Sequence, residues 1–316
     1  MKGLNKKGYL QISFSWIFAI IVGGFIIFLA IYGVNKLSDS QSETSDIILS
    51  KEIGLLLDPL ETGFEESISS SFSIPKKSKL YFICEEQGNF GKQKIILRSE
   101  NFDKYSSNDL EIELESKYIF AEKILEGKSF NLFSKVFSFP FKTATLVYVT
   151  PSDEKYCFMD TPSNIEEELE SLQTPNRKYL FTEDCPEDSI RVCFGREGCE
   201  ISVKYRAGEI TKEGEIFYFY EDALMYAAIF SDKENYDCQL KRLMKKVGIL
   251  SDLYIQKARI NPSTGCSQNA ASLNEKLVQL KIFTENFESP VQIERSIVSL
   301  IEDMENKNKN LDCGIW

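Results

Sequence analysis

Histidine is absent from all 316 residues. The commonest general base is therefore missing, and with it a common metal ligand. No C-x-x-C pair occurs, so the spaced ligand pairs of structural zinc sites are lacking too. Neither a G-x-S-x-G elbow nor a P-loop is present. The glycines from Gly54 to Gly63 and from Gly195 to Gly198 are too sparse to cradle a phosphate. No D-x-D-x-D-G calcium loop is found. The single N-x-[ST] triplet, Asn261-Pro262-Ser263, is blocked by its proline. A carboxylate-pair hydrolase needs only Asp and Glu, but 48 acids guarantee that some are neighbours, so such pairs carry no information. Basic residues are in deficit, 37 against 48, and the net charge of −11 repels nucleic acid. The sequence thus names no catalytic residue, no metal site and no cofactor. A binding or structural role is expected, with an extracytoplasmic hydrolase as the alternative from another class.

The most decisive stretch present is Ile12 to Val34, 23 residues without a charge. As a helix it spans the ~30 Å hydrocarbon core of a bilayer. A secretory signal has a shorter apolar run, and Tyr32-Gly33-Val34-Asn35-Lys36 is a poor cleavage site. Lys2, Lys6 and Lys7 precede the run, whereas Lys36 is followed by Asp39, Glu43 and Asp46. That asymmetry predicts an N-terminus in the cytoplasm and the remainder outside, in a single-pass protein of the cell membrane. Trp16 and Tyr32 suit the two lipid–water interfaces. Ser15, Ala19 and Gly23 recur at spacing four, which offers one face for self-association or for a partner helix.

Lys6-Lys7-Gly8 ahead of a polar-to-apolar helix resembles the class III signal of type IV pilins, and Gln11-Ile12-Ser13 resembles the start of its archaeal QxSxE form. The resemblance covers about 30 residues, with Ser15 standing where that motif has Glu. It implies cleavage after Gly8 and assembly through the N-terminal helix, or retention of that helix as an anchor. The chain as a whole is similar to single-pass membrane proteins of small-genome archaea, a resemblance that implies no activity.

All eight cysteines, Cys84, Cys157, Cys185, Cys193, Cys199, Cys238, Cys266 and Cys313, lie beyond the apolar run. An even number outside the cell reads as disulfides. Ile190–Cys193 and Cys199–Val203 read as two strands of a short hairpin, which brings Cys193 near Cys199. Three C-terminal helices running up, down and up place Cys266 and Cys313 at one end, so those two are expected to pair. Cys238 then lies at the other end and needs a partner in the strand region.

Residues 1–11 read as a cytoplasmic N-terminus, 12–34 as the transmembrane helix and 35–67 as a stalk with a short helix that stops at Asp58-Pro59. Residues 68–220 read as a β-rich, disulfide-containing ectodomain. Its strand signals include Leu80–Cys84, Lys94–Leu97, Leu110–Leu114 and Thr145–Val149. Phe130 to Phe141, with five Phe in twelve residues, reads as core. Asp160 to Gln173 reads as a helix with a capping box of Ser163 and Glu166. Residues 221–316 read as helical, the last helix starting at Ser289-Pro290 with Gln292 closing its box. The fold class is therefore α+β: a transmembrane helix, a mostly antiparallel ectodomain, then a helical bundle. Lys241, Arg242, Lys245 and Lys246 form a basic patch on the helix over 238–258. It reads as that helix's solvated face, or else as a dock for an acidic protein partner or anionic surface. The lipid bilayer is the remaining expected partner.

Overall fold

The computed structural model describes residues 15–33, 68–101, 104–105, 110–172, 178–260, 267–293, 295–310 and 315–316. Helix α1, Ser15–Gly33, is long and apolar enough to cross a membrane, and it belongs to a separate N-terminal unit. The stalk expected over 35–67 lies outside the described residues.

The second unit is α+β, with two mixed sheets and several helices. The first sheet comprises β1 (Ile68–Glu85), β2 (Lys92–Asn101), β3 (Lys104–Tyr105), β4 (Leu110–Glu115), β5 (Tyr118–Phe120), β6 (Ile124–Ser138) and β7 (Lys142–Pro151). Their order is β3-β2-β1-β6-β7-β5, with β4 also paired to β2. All its pairings are antiparallel except that of β5 with β7. Side chains alternate across it, as a pleated strand requires. Ile119, Leu132, Val147 and Val149 join one apolar cluster, whereas Tyr118, Phe120, Phe133 and Tyr148 join another.

The second sheet comprises β8 (Lys155–Met159), β9 (Tyr179–Phe181), β10 (Ser189–Phe194), β11 (Ile201–Lys204), β12 (Glu209–Lys212) and β13 (Glu215–Tyr218). Its order is β13-β12-β11-β10-β8-β9. Here the expectation of antiparallel pairing needs correcting, because β9, β8, β10 and β11 are all mutually parallel neighbours. The reason is burial on both faces. Tyr156, Cys157 and Phe158 of β8 are all buried, as are Val192, Cys193 and Phe194 of β10. Such continuous apolar runs belong to parallel strands covered on both sides. Helix α2, Ser163–Ser171, makes the crossover from β8 to β9. Its N-cap is Pro162, whose carbonyl accepts from the Ile165 and Glu166 amides at 3.0 and 3.1 Å, so the Ser163 capping box does not form.

Helix α3, Glu221–Phe230, lies at the core of this unit, with Ala223 through Phe230 all buried. Phe230 packs edge-on against Phe133 of the first sheet at 5.6 Å and against Tyr156 of the second at 4.9 Å. The Tyr148 hydroxyl donates to the Ala223 carbonyl at 2.7 Å. Lys212 donates to the Ile229 and Ser231 carbonyls at 3.2 and 3.1 Å and also pairs with Glu122. A cation thereby sits at the negative end of α3 and ties β12 to the segment after β5. Burial raises the Glu122 carboxyl above its ordinary range, with the Lys212 ammonium opposing.

Helices α4 (Lys233–Ile260), α5 (Ser267–Glu285) and α6 (Arg295–Lys309) complete the unit. Helix α4 packs against β1, β5 and β7 as well as against α5. The Ser289–Gln292 capping box is present, but it closes a 3-10 turn at Pro290–Gln292, and α6 starts only at Arg295.

Candidate functional site

The loop between β1 and β2 is clamped onto α4. Positions 238, 241, 242 and 245 have helical spacing and so share one face of α4. Cys238 is bridged to Cys84 at the end of β1, with Cα atoms 6.1 Å apart. Lys241 pairs with Glu86 at 3.1 Å, and Lys245 donates to the Glu86 carbonyl. Arg242 Nε donates to the Phe90 carbonyl at 2.9 Å. The loop can descend this far only because residue 91 is glycine. Gly91 has φ +62, and a Cβ there would meet the Glu85 carbonyl oxygen at 2.4 Å and Arg242 Nε at 2.7 Å.

Arg242 therefore does not belong to a solvated basic face: it is 0% exposed. Its Nη1 donates to the Lys117 carbonyl at 3.0 Å and to Gln239 Oε1 at 2.7 Å. The guanidinium lies over the Tyr118 ring, 4.9 Å from its centroid. Burial lowers its proton affinity, an effect that Tyr118 opposes. The fully buried Gln239 carries the network onward, donating to Gln93 and to the Ile119 carbonyl at 3.1 Å. Asn235 donates to the Ala121 carbonyl at 2.9 Å. These side chains satisfy backbone carbonyls next to and within β5, a short strand paired, among the described residues, with β7 alone. Helical periodicity assigned Arg242 to the polar face because it treats every cation as a surface residue. Lys246 lies over the same Tyr118 ring, at 5.4 Å.

A cleft flanks the clamped loop on each side. One, of about 450 Å³, opens between the loop, α4 and α5. Its charged lining is Lys241, Lys245 and Lys281 with Glu86, Asp252 and Glu285, and Ile249 and Phe287 supply its apolar wall. Lys281 pairs with Asp252 at 2.8 Å, and that hydrogen bond raises the Lys281 ammonium above its ordinary range. Helices α4 and α5 meet closely here, since a Cβ at Gly248 would lie 2.6 Å from Thr284 Oγ1. The other cleft, of about 820 Å³, runs beside the Cys84–Cys238 bridge and is bordered by Glu85, Lys123, Asp232, Glu234 and Asp237. Lys123 pairs with Glu234 at 2.7 Å. No group of three metal-ligating side chains occurs among the described residues.

The structure brings together three cysteine pairs: Cys84–Cys238, Cys157–Cys185 and Cys193–Cys199. The last does not close a hairpin. Strands β10 and β11 run parallel, with Cys193 opposite Ser202. The bridge closes a tight return loop in which Gly195 and Gly198 both have positive φ. Cys157 on β8 is tied to Cys185 in the loop after β9. Cys266, Cys313 and Gly8 lie outside the described residues. Ser15, Ala19 and Gly23 share a face of α1, and nothing lies within 4 Å of a Cβ built on Gly23. The cleft residues on α5, and Glu86 on the loop, carried no sequence signal, because partners as far apart as Asp252 and Lys281, 29 positions, or Glu86 and Lys241, 155 positions, leave no local pattern. No protein-family model, curated protein or solved structure matches this chain.

Proposed function

We propose that the chain is a membrane-anchored extracytoplasmic binding or structural protein of the cell surface, held by Ile12–Val34 with its N-terminus in the cytoplasm. The observation that carries this reading is the combination of an apolar N-terminal helix with a folded unit stapled by three disulfides. An apolar helix in that position serves as an anchor or as a signal sequence, and with Lys2, Lys6 and Lys7 kept on the cytoplasmic side the folded unit C-terminal to it is carried outside. Disulfides persist in such oxidising compartments and are rare in the cytosol. In this reading α4 to α6 form the helical end of the ectodomain and offer the cleft beside the clamped loop as a binding surface. The role is not catalytic.

The test is the intact mass of protein extracted from native membranes, alkylated with and without prior reduction. Alkylation that requires reduction, on a chain that keeps Ile12–Val34, supports the reading. Direct alkylation of every cysteine refutes it. Loss of Met1 to Gly8 alone would move the protein to the pilin-like class, and loss of the whole apolar helix would make that helix a signal sequence.

A further inference from the structure

We infer that the outer face of the α4–α5 pair docks on the same face of a second copy of this chain, making a two-fold dimer of the folded unit. The inference goes beyond the reading of the chain as a surface protein, which names no partner for this face. It starts from the way the two helices meet. A Cβ at Gly248 would lie 2.6 Å from Thr284 Oγ1, and Asp252 pairs with Lys281 at 2.8 Å. As α4 advances α5 recedes, so the helices run antiparallel. Each charge of that pair carries the same apolar bracket. Ile249 stands three residues before Asp252 and Leu253 one after it; Val278 stands three before Lys281 and Ile282 one after it. All four are exposed, at 43%, 56%, 38% and 53%. Ile249 and Leu253 are four positions apart, as are Val278 and Ile282, so each pair forms a ridge on its helix. The ion pair lies in the seam between the ridges.

This face is its own complement. Its two halves repeat one pattern in opposite directions and differ in the sign of the central charge. A two-fold axis parallel to the helices lays the Ile249–Leu253 ridge of one copy on the Val278–Ile282 ridge of the other. The same rotation sets each Asp252 over the partner's Lys281. Four alternating charges then close a ring, and each ion that leaves water gains a second opposite neighbour to offset its desolvation. An axis running across the helices would set like charges face to face, which costs association. Two helix pairs stacked in this way make a four-helix bundle. Overall charge does not oppose contact here. The chain carries −11, yet the cleft adjoining this face is lined by three lysines, Lys241, Lys245 and Lys281, and three carboxylates, Glu86, Asp252 and Glu285.

The test is sedimentation equilibrium of the full chain in detergent, with its disulfides intact. The wild type is expected to dimerise. Asp252→Lys and Lys281→Asp each give the seam two charges of one sign, and each variant alone should dimerise at least about tenfold more weakly. An equimolar mixture of the two should regain the dimer, because every lysine of one chain then faces an aspartate of the other. The ion pair within each chain stays broken in that mixture, so a purely structural role for it would not produce the recovery. Ile249→Ser combined with Ile282→Ser removes apolar contact without touching the charges and should weaken the dimer similarly. Both serine sites are exposed, and an unchanged circular dichroism spectrum establishes that the variants fold. A monomeric wild type overturns the inference. So does a dimer that the single charge variants or the serine pair leave intact, which association through α1 would give, and so does a mixture no tighter than its components. None of these outcomes bears on the alkylation result, so failure here is distinct from failure of the surface reading.

Discussion

Gly91→Ala tests the clamp between the β1–β2 loop and α4. The residue sits at φ +62, where a non-glycine side chain costs roughly 1–2 kcal/mol. Its new methyl would meet the Glu85 carbonyl oxygen at 2.4 Å, Arg242 Nε at 2.7 Å and Arg242 Cδ at 2.9 Å. The backbone oxygen cannot yield without moving β1, and the arginine is held by three hydrogen bonds. Overpacking of this kind adds roughly 1–3 kcal/mol. The expected loss is about 3 kcal/mol in urea unfolding of the full chain with its disulfides intact, monitored by circular dichroism. Arg242→Ala deprives the Phe90 and Lys117 carbonyls of their donor and is expected to cost about 2–4 kcal/mol by itself. The double variant should lose about 1 kcal/mol less than the sum, because two of the three close contacts vanish with the arginine. A Gly91→Ala protein within about 0.5 kcal/mol of wild type, or strict additivity, would refute the reasoning.

The core yields two more expected outcomes. Phe230→Ala removes the ring that both sheets share and is expected to cost about 3–5 kcal/mol in the same assay, whereas a loss below about 1 kcal/mol would mean that α3 is not the common centre. Lys178 is 0% exposed, donates to the Pro151 and Glu154 carbonyls, and is pushed by burial from 10.5 to about 8, with Glu154 opposing. Folded, it holds its proton less tightly than unfolded. Its contribution to stability is therefore full above pH 10.5, fades as the pH falls, and is gone below about 8. Relative to Lys178→Met, the wild type should gain roughly 3 kcal/mol between those two pH values. A pH-independent difference would show that the amine is not held in a desolvated site.

Element by element, the legible parts were those written in short runs. Leu80–Cys84, Lys94–Leu97, Leu110–Leu114 and Thr145–Val149 lie in β1, β2, β4 and β7, because β-branched and aromatic alternation is a local property. The five phenylalanines from Phe130 to Phe141 are all buried. The Ser289–Gln292 box forms as its spacing implied, although the helix it announces begins later. The Ser163 box was misread, since Pro162 occupies the N-cap and Ser163 is already helical.

By itself the sequence determined that an apolar helix precedes an acidic, cysteine-rich α+β unit, and where most of its strands and helices fall. Those properties depend on composition and on periods of two or 3.6 residues, which a chain carries before it folds. The tertiary structure alone decided that β10 and β11 run parallel, that Cys84 reaches Cys238 across 154 positions, and that Arg242 goes inside. It alone brought Lys245 and Glu285 to the lining of one cleft. Strand direction, disulfide partner and the burial of a charge are each chosen by atoms distant in the chain. A guanidinium enters a core only where carbonyls and a ring already wait for it, and that arrangement exists only once the loop has closed over Gly91.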